Sequence, residues 1–451
     1  MSRLPQFPSR EQVLEFVARS SAYGNLGIFA GAGFSMAVMN GDRQKIALSW
    51  AELLQNAATE MDVDYDALPK EGYGYPEIAS TICKKHAVAK SCSYQESLAL
   101  LKERIAATTS WYPSRPQRER FAGHLELLSP DWIITTNYDS IIETILAGRS
   151  ATLGPDDSLS APRGLIPVYH LHGTRSDPSK IVIAQEDYVS LFRPNQYRQI
   201  KLALTIREST VLFLGYGIGD ANVLTALDWS KNVFEGGKTD YPNDVVQVLR
   251  KTAPSLAPYR DGNGIVVVET SEITDFFEEF AIARDKVTKE EERKNELLTK
   301  LDKIFREPGG TIDKFIDDND VRETILKVLA RFPAPLVSGF LTFLEKCVDE
   351  TWKRSEPRGA FEGYNQNLIL LLDILTAIPK KNFPPALFQS VALALDRVGY
   401  YVGDTLGKSR PAYTTWNSRK GNLPNDIVVE LGNLANQHSY SELLRLVESV
   451  G

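Results

Sequence analysis

The chain has 451 residues, with 51 Lys and Arg against 58 Asp and Glu, a formal net charge of −7 and 43% hydrophobic residues. This is the balance of an ordinary globular chain of about two or three domains and excludes a disordered or fibrous one. The acidic charge and the lack of any long basic run argue against direct binding of nucleic acid or of an anionic membrane.

Cys83, Cys92 and Cys347 offer no C-x-x-C pair, so neither a disulfide framework nor a four-thiolate zinc site is expected. The N-terminal stretch has no apolar h-region. The longest apolar run, 367–378, is broken by Asp373 and falls short of the ~18 residues a membrane span needs. A reducing, cytoplasmic setting is the expectation.

In chain order, Ser9 and Gln12 form a capping-box pattern ahead of Val13, Leu14 and Val17, and Gly24 stops that helix. The short run 26–30, bounded by glycines, reads as a buried strand. Trp50, Leu53, Leu54, Ala57 and Met61 recur at helical spacing and open a helical insertion over about 49–128. Strands are then predicted at 132–136, 167–171, 181–184, 210–215, 244–249 and 264–269, with helices at 139–146, 187–192, 220–229 and 272–283. Short β-branched runs separated by helices define an α/β class, a Rossmann-like parallel sheet covered on both faces. The reading divides the chain into an α/β domain over 1–284, a linker helix over 285–310 that ends at Pro308-Gly309-Gly310, and an all-α C-terminal domain over 311–451.

Four strand ends carry chemistry. Gly31-Ala32-Gly33-Phe34-Ser35 follows the first strand, where glycines let backbone N–H groups approach a pyrophosphate; a tight βα turn needs the same residues. Thr135-Thr136-Asn137-Tyr138-Asp139 follows the second, with Asp139 either a ligand or the N-cap of the next helix. His170-Leu171-His172-Gly173 closes another, and period two places both histidines on one side, as acid, base or structural hydrogen-bonding groups. Gly215-Tyr216-Gly217-Ile218-Gly219-Asp220-Ala221-Asn222 ends a later strand and suits either a ribose or a flexible turn.

In this order the four motifs, GAGFS, TTNYD, HLHG and GYGIGD, resemble the sirtuin family, and within it the divergent bacterial SIR2-like domains of antiphage defence systems. The resemblance covers about residues 20–283. It implies NAD+ as substrate, with Gly31, Ala32, Gly33 and Ser35 at the phosphates and adjoining ribose. Asn137 would orient the nicotinamide ribose and the attacking group, Asp139 would hold the carboxamide, and His172 would be the base, with His170 mattering less. Gly215, Gly217 and Asn222 would line the adenosine side. The zinc module and the P-D-F-R stretch of protein-deacylating sirtuins are missing, and the insertion takes their place.

The resemblance therefore implies an NAD+ glycohydrolase that releases nicotinamide and ADP-ribose and depletes NAD+ on infection. An NAD+-dependent deacylase or ADP-ribosyltransferase, or a non-catalytic nucleotide sensor, are the alternatives. It further implies a homo-oligomer and a partner protein from a defence operon, for example a HerA-type ATPase or another sensor. No metal is expected.

Overall fold

The computed structural model describes residues 4–6, 8–40, 45–69, 72–158, 160–191, 197–217, 221–232, 244–357, 359 and 361–450. They form two compact units, Met1–Lys289 and Glu290–Gly451.

The first unit is built on strands β1 (Leu26–Ala30), β2 (Trp132–Thr135), β3 (Ser150–Leu153), β4 (Ile166–His170), β5 (Thr210–Leu214), β6 (Val245–Arg250), β7 (Tyr259–Arg260) and β8 (Val266–Thr270). They form one sheet in the order β3-β4-β2-β1-β5-β6-β8-β7, parallel except for β7. β1 lies between β2 and β5, and Ala30 pairs in register with Thr135 on one side and Leu214 on the other, while Thr135 pairs with His170. Four strands thus end at one level, and the chain passes to opposite sides of β1 as it leaves it. In an open α/β sheet this switch point is where a ligand crevice forms.

Side-chain alternation sends the two faces of the sheet into separate cores. Ile28, Ala30, Leu212 and Leu214 pack with Phe34, Phe121, Phe276 and Phe280, and Phe29, Val211 and Phe213 pack with Trp132, Ile206 and Leu227. Each buried aromatic or aliphatic side chain contributes roughly 1.5–3 kcal/mol of transfer free energy. After α1 (Arg10–Tyr23) and α2 (Ala32–Met39), the insertion consists of α3 (Trp50–Glu60), α4 (Tyr75–Lys90), α5 (Tyr94–Thr108) and α6 (Arg115–Leu128). It has a core of its own around Leu53, Leu54, Ile82, Leu101 and Ile105.

The strands β3 and β7 are not among the predicted elements, and two predicted elements differ from the sequence reading. The run 181–184 is not a strand: Asp187 Oδ2 accepts the N–H groups of Ile183 and Ala184 at 3.1 and 3.0 Å, so those donors are unavailable to a ladder. Ile181 and Ile183 instead pack into the insertion core. The helix expected at 272–283 and the linker helix expected over 285–310 are one, Ile273–Arg306, since no Gly or Pro interrupts 284–286 and Val287 continues the buried stripe.

The second unit is helical. Phe305, Phe315, Phe340, Phe343, Leu371 and Leu375 lie in its core, and the buried Arg322 pairs with Asp373 at 2.6 Å and donates to the carbonyl of Phe315 at 2.8 Å. Among the described residues no helix is long and apolar enough to cross a membrane.

Candidate active site

The loop after β1 is packed against the loop after β5 so closely that three glycines are obligatory. Gly31 N–H donates to the Leu214 carbonyl at 3.1 Å and Gly33 N–H to the Gly215 carbonyl at 2.8 Å. A Cβ on Gly33 would stand 2.7 Å from the Gly215 oxygen, and one on Gly215, whose φ is +59°, would stand 2.1 Å from Phe34 N. The first and fourth motifs are therefore one structural object. The N–H of Gly33, expected at a phosphate, is spent on this junction.

The second motif joins it through side chains. Thr135 Oγ1 donates to the Ala30 carbonyl at 3.0 Å, and Asn137 Nδ2 donates to the Gly31 carbonyl at 3.0 Å and to Ser35 Oγ at 2.9 Å. Ser35 Oγ in turn donates to Asp139 Oδ2 at 2.9 Å, while Asp139 Oδ1 accepts from Ile141 N–H at 3.1 Å. Asp139 thus caps the helix Ile141–Leu146 from one residue before its N-cap, Ser140. Burial pushes its carboxyl pKa upward, against these hydrogen bonds.

Beside this network lies a cavity of 880 Å³, within the range of small-molecule and cofactor sites. Of the residues expected from sequence, Ala32, Gly33, His172, Gly215 and Gly217 line it. Gly31, Ser35, Asn137 and Asp139 do not; they are hydrogen-bonded to one another immediately against the lining. The side chain of Asn222 lies outside the described residues.

β4 ends at His170, so the period-two relation does not extend to His172. His170 turns to Asn137 and Glu143, with Nδ1 2.9 Å from the Asn137 carbonyl and Nε2 2.6 Å from Glu143 Oε1. His172 faces the cavity, its ring 6.4 Å from that of Trp50 and 5.4 Å from that of Tyr188.

Sequence reasoning missed the outer wall. Trp50, Tyr75, Pro76 and Glu77 come from the insertion and complete the cavity with Tyr188, and the Trp50 and Tyr75 rings are 5.5 Å apart. The available signal was the capping box formed by Ser49 and Glu52, which fixes the start of α3 and so the placement of Trp50 at its first turn. Among the described residues no group of three or more His, Cys, Asp or Glu could hold a metal ion.

A parallel sheet with a cavity at its switch point, walled by glycine-bearing turns and one inward-facing histidine, is an architecture of Rossmann-like class. Residues 131–256 match the profile of the SIR2-like domain family. The chain is 21% identical over 216 residues to Defense-associated sirtuin 2 of Bacillus subtilis, covering 44% of this chain and 21% of that one. It is 27% identical over 218 residues to the NAD(+) hydrolase ThsA of Enterococcus faecium, covering 46% and 40%, and 27% identical over 204 residues to the ThsA of Cytobacillus dafuensis, covering 44% and 36%. The matches span at most 40% of the length of these curated relatives.

Proposed function

We propose that the N-terminal unit is an NAD+ glycohydrolase that cleaves the nicotinamide–ribose bond to give nicotinamide and ADP-ribose. The observation that carries this reading is the 880 Å³ cavity with His172 in its wall and the Asn137–Ser35–Asp139 network set directly against it. It is supported by the SIR2-like match and by the NAD(+) hydrolase activity that two of the relatives are named for.

Cleaving an N-glycosidic bond to a pyridinium needs no acid for the leaving group, which departs neutral. The protein has to hold the dinucleotide, stabilise positive charge developing at the ribose and bring up one base. In this reading His172 takes the proton from a ribose hydroxyl or from the attacking water. Asn137 has both Nδ2 hydrogens committed, to the Gly31 carbonyl and Ser35 Oγ, which leaves its amide oxygen to orient that hydroxyl or water. Asp139, engaged by Ser35 and Ile141, serves the framework more directly than the carboxamide. Ala32 and the loop after β5 line the path for the rest of NAD+.

We assign the protein to a defence role acting through NAD+ depletion, by analogy with the names of its relatives. We assign residues 311–451 to self-assembly or docking of a partner protein. Incubation of the purified protein with NAD+ alone, and with NAD+ plus an acylated peptide, tests the reaction. Nicotinamide release without peptide supports hydrolysis, and release only with peptide supports a deacylase.

A further inference from the structure

His170 and His172 are two residues apart and do different work. His170 is 1% exposed and stands off the cavity, between the loop that carries Asn137 and the helix Ile141–Leu146 that carries Glu143. Both ring nitrogens meet acceptors. A backbone carbonyl can only accept, so Nδ1 carries a proton toward Asn137 O at 2.9 Å; an ionised carboxylate can only accept, so Nε2 carries another toward Glu143 Oε1 at 2.6 Å. Burial opposes charge on this ring, but Glu143, then the Asn137 carbonyl and the charge of Asp139, outweigh it and leave the pKa raised. Among the described residues its hydrogen-bond partners are Glu143 and the Asn137 carbonyl.

The consequence falls on Asn137. Its N–H is held by Thr135 Oγ1 at 3.0 Å, its side-chain nitrogen by Gly31 and Ser35, and its carbonyl by His170. We propose that His170 and Glu143 form a buried charged clamp that fixes the Asn137 backbone, making His170 a positioning residue for NAD+ cleavage rather than the spare member of the His-Leu-His-Gly motif. This inference rests on the NAD+ hydrolase reading given above. A misplacement of about 1 Å at such a group costs on the order of a hundredfold in rate.

Two substitutions separate the clamp from a merely structural ion pair. In His170→Asn the amide nitrogen overlays Nδ1 and keeps the bond to the Asn137 carbonyl while the Glu143 contact is lost. In His170→Gln the amide overlays Nε2 and keeps Glu143 while the carbonyl bond is lost. Both remove the charge, so a structural role alone predicts equal effects on activity and on Tm. The clamp predicts comparable Tm values, KM for NAD+ close to wild type in both, and a kcat for His170→Gln lower than that of His170→Asn by more than about threefold. A smaller difference, or the reverse order, overturns it. If wild type itself releases no nicotinamide, the hydrolase reading fails, not the clamp. The clamp is then decided, as it is if a variant does not fold, by 15N spectra of histidine-labelled wild type at neutral pH. A buried ring protonated at both nitrogens supports it, and no such ring overturns it.

Discussion

Ser35 Oγ donates to Asp139 Oδ2 at 2.9 Å, joining the helix Ala32–Met39 that follows the first strand to the loop after the second across 104 residues of sequence. Because the same hydroxyl accepts from Asn137 Nδ2, one small side chain engages both Asn137 and Asp139 of the second motif. Ser35 is buried and does not line the cavity, so its place is inside the framework.

That placement gives a kinetic signature. Ser35→Ala removes the shared partner of Asn137 and Asp139 and should cost about 1–3 kcal/mol of stability, the usual penalty for orphaning buried polar groups. In steady-state kinetics kcat should fall at least about tenfold with little change in KM, because the tether of Asn137 is lost. A rise in KM at constant kcat would instead place Ser35 on the NAD+ phosphates.

Gly215 and Gly217 lie two residues apart and should respond in opposite ways. Alanine at 215 needs a left-handed backbone and puts Cβ 2.1 Å from Phe34 N, whereas a Cβ at 217 meets nothing within 4 Å. Gly215→Ala should lower Tm by about 5 °C or more, or prevent folding. Gly217→Ala should keep the wild-type Tm and change only NAD+ affinity, since Gly217 lines the cavity. Thermal melts of the two proteins check this.

How far the sequence reports the site depends on whether a residue acts through its own strand end or through tertiary contacts. Gly33, His172 and Gly215, singled out at the carboxyl ends of short apolar strands, line the cavity because those strands end at one level, and Asn137 is hydrogen-bonded to the Gly31 carbonyl beside it. Trp50 and Tyr75 are not legible, since at helical spacing an aromatic residue looks like insertion core until the fold turns it to the cavity. The clamp is hidden for the same reason: Glu143 looks like an ordinary first-turn acid of its helix. β3 is missed because Ser-Ala-Thr-Leu is short, only partly buried and at the sheet edge. The run 181–184 misleads because an apolar run specifies burial and leaves the backbone partner open.

Trp50 offers an aromatic face beside His172, where the cationic pyridinium of NAD+ would sit. Trp50→Leu should raise KM for NAD+ about two- to thirtyfold, the worth of a cation–π contact of ~0.5–2 kcal/mol, and leave the affinity for ADP-ribose nearly unchanged. Isothermal titration with both ligands separates the two; equal losses would place Trp50 away from the nicotinamide.

Asp139 has its pKa raised mainly by burial, so its contribution to stability is fully present below the unfolded carboxyl value of about 3.9 and is lost as pH rises through the folded value. Asp139→Asn removes that dependence. The stability of the variant minus that of wild type should therefore be more positive at pH 7.5 than near pH 4, whatever its sign at pH 4. Denaturant melts at the two pH values check it, and a difference that falls with pH would show a carboxylate stabilised by its surroundings.

Chromatography of NAD+ incubated with wild type, His172→Ala and Asn137→Ala tests the central claim most directly. Wild type should yield nicotinamide and ADP-ribose in equal amounts, and each variant, folded by its melting curve, should release them about 10²–10⁴-fold more slowly. Undiminished release by His172→Ala, or NAD+ that stays intact while bound to wild type, would contradict it.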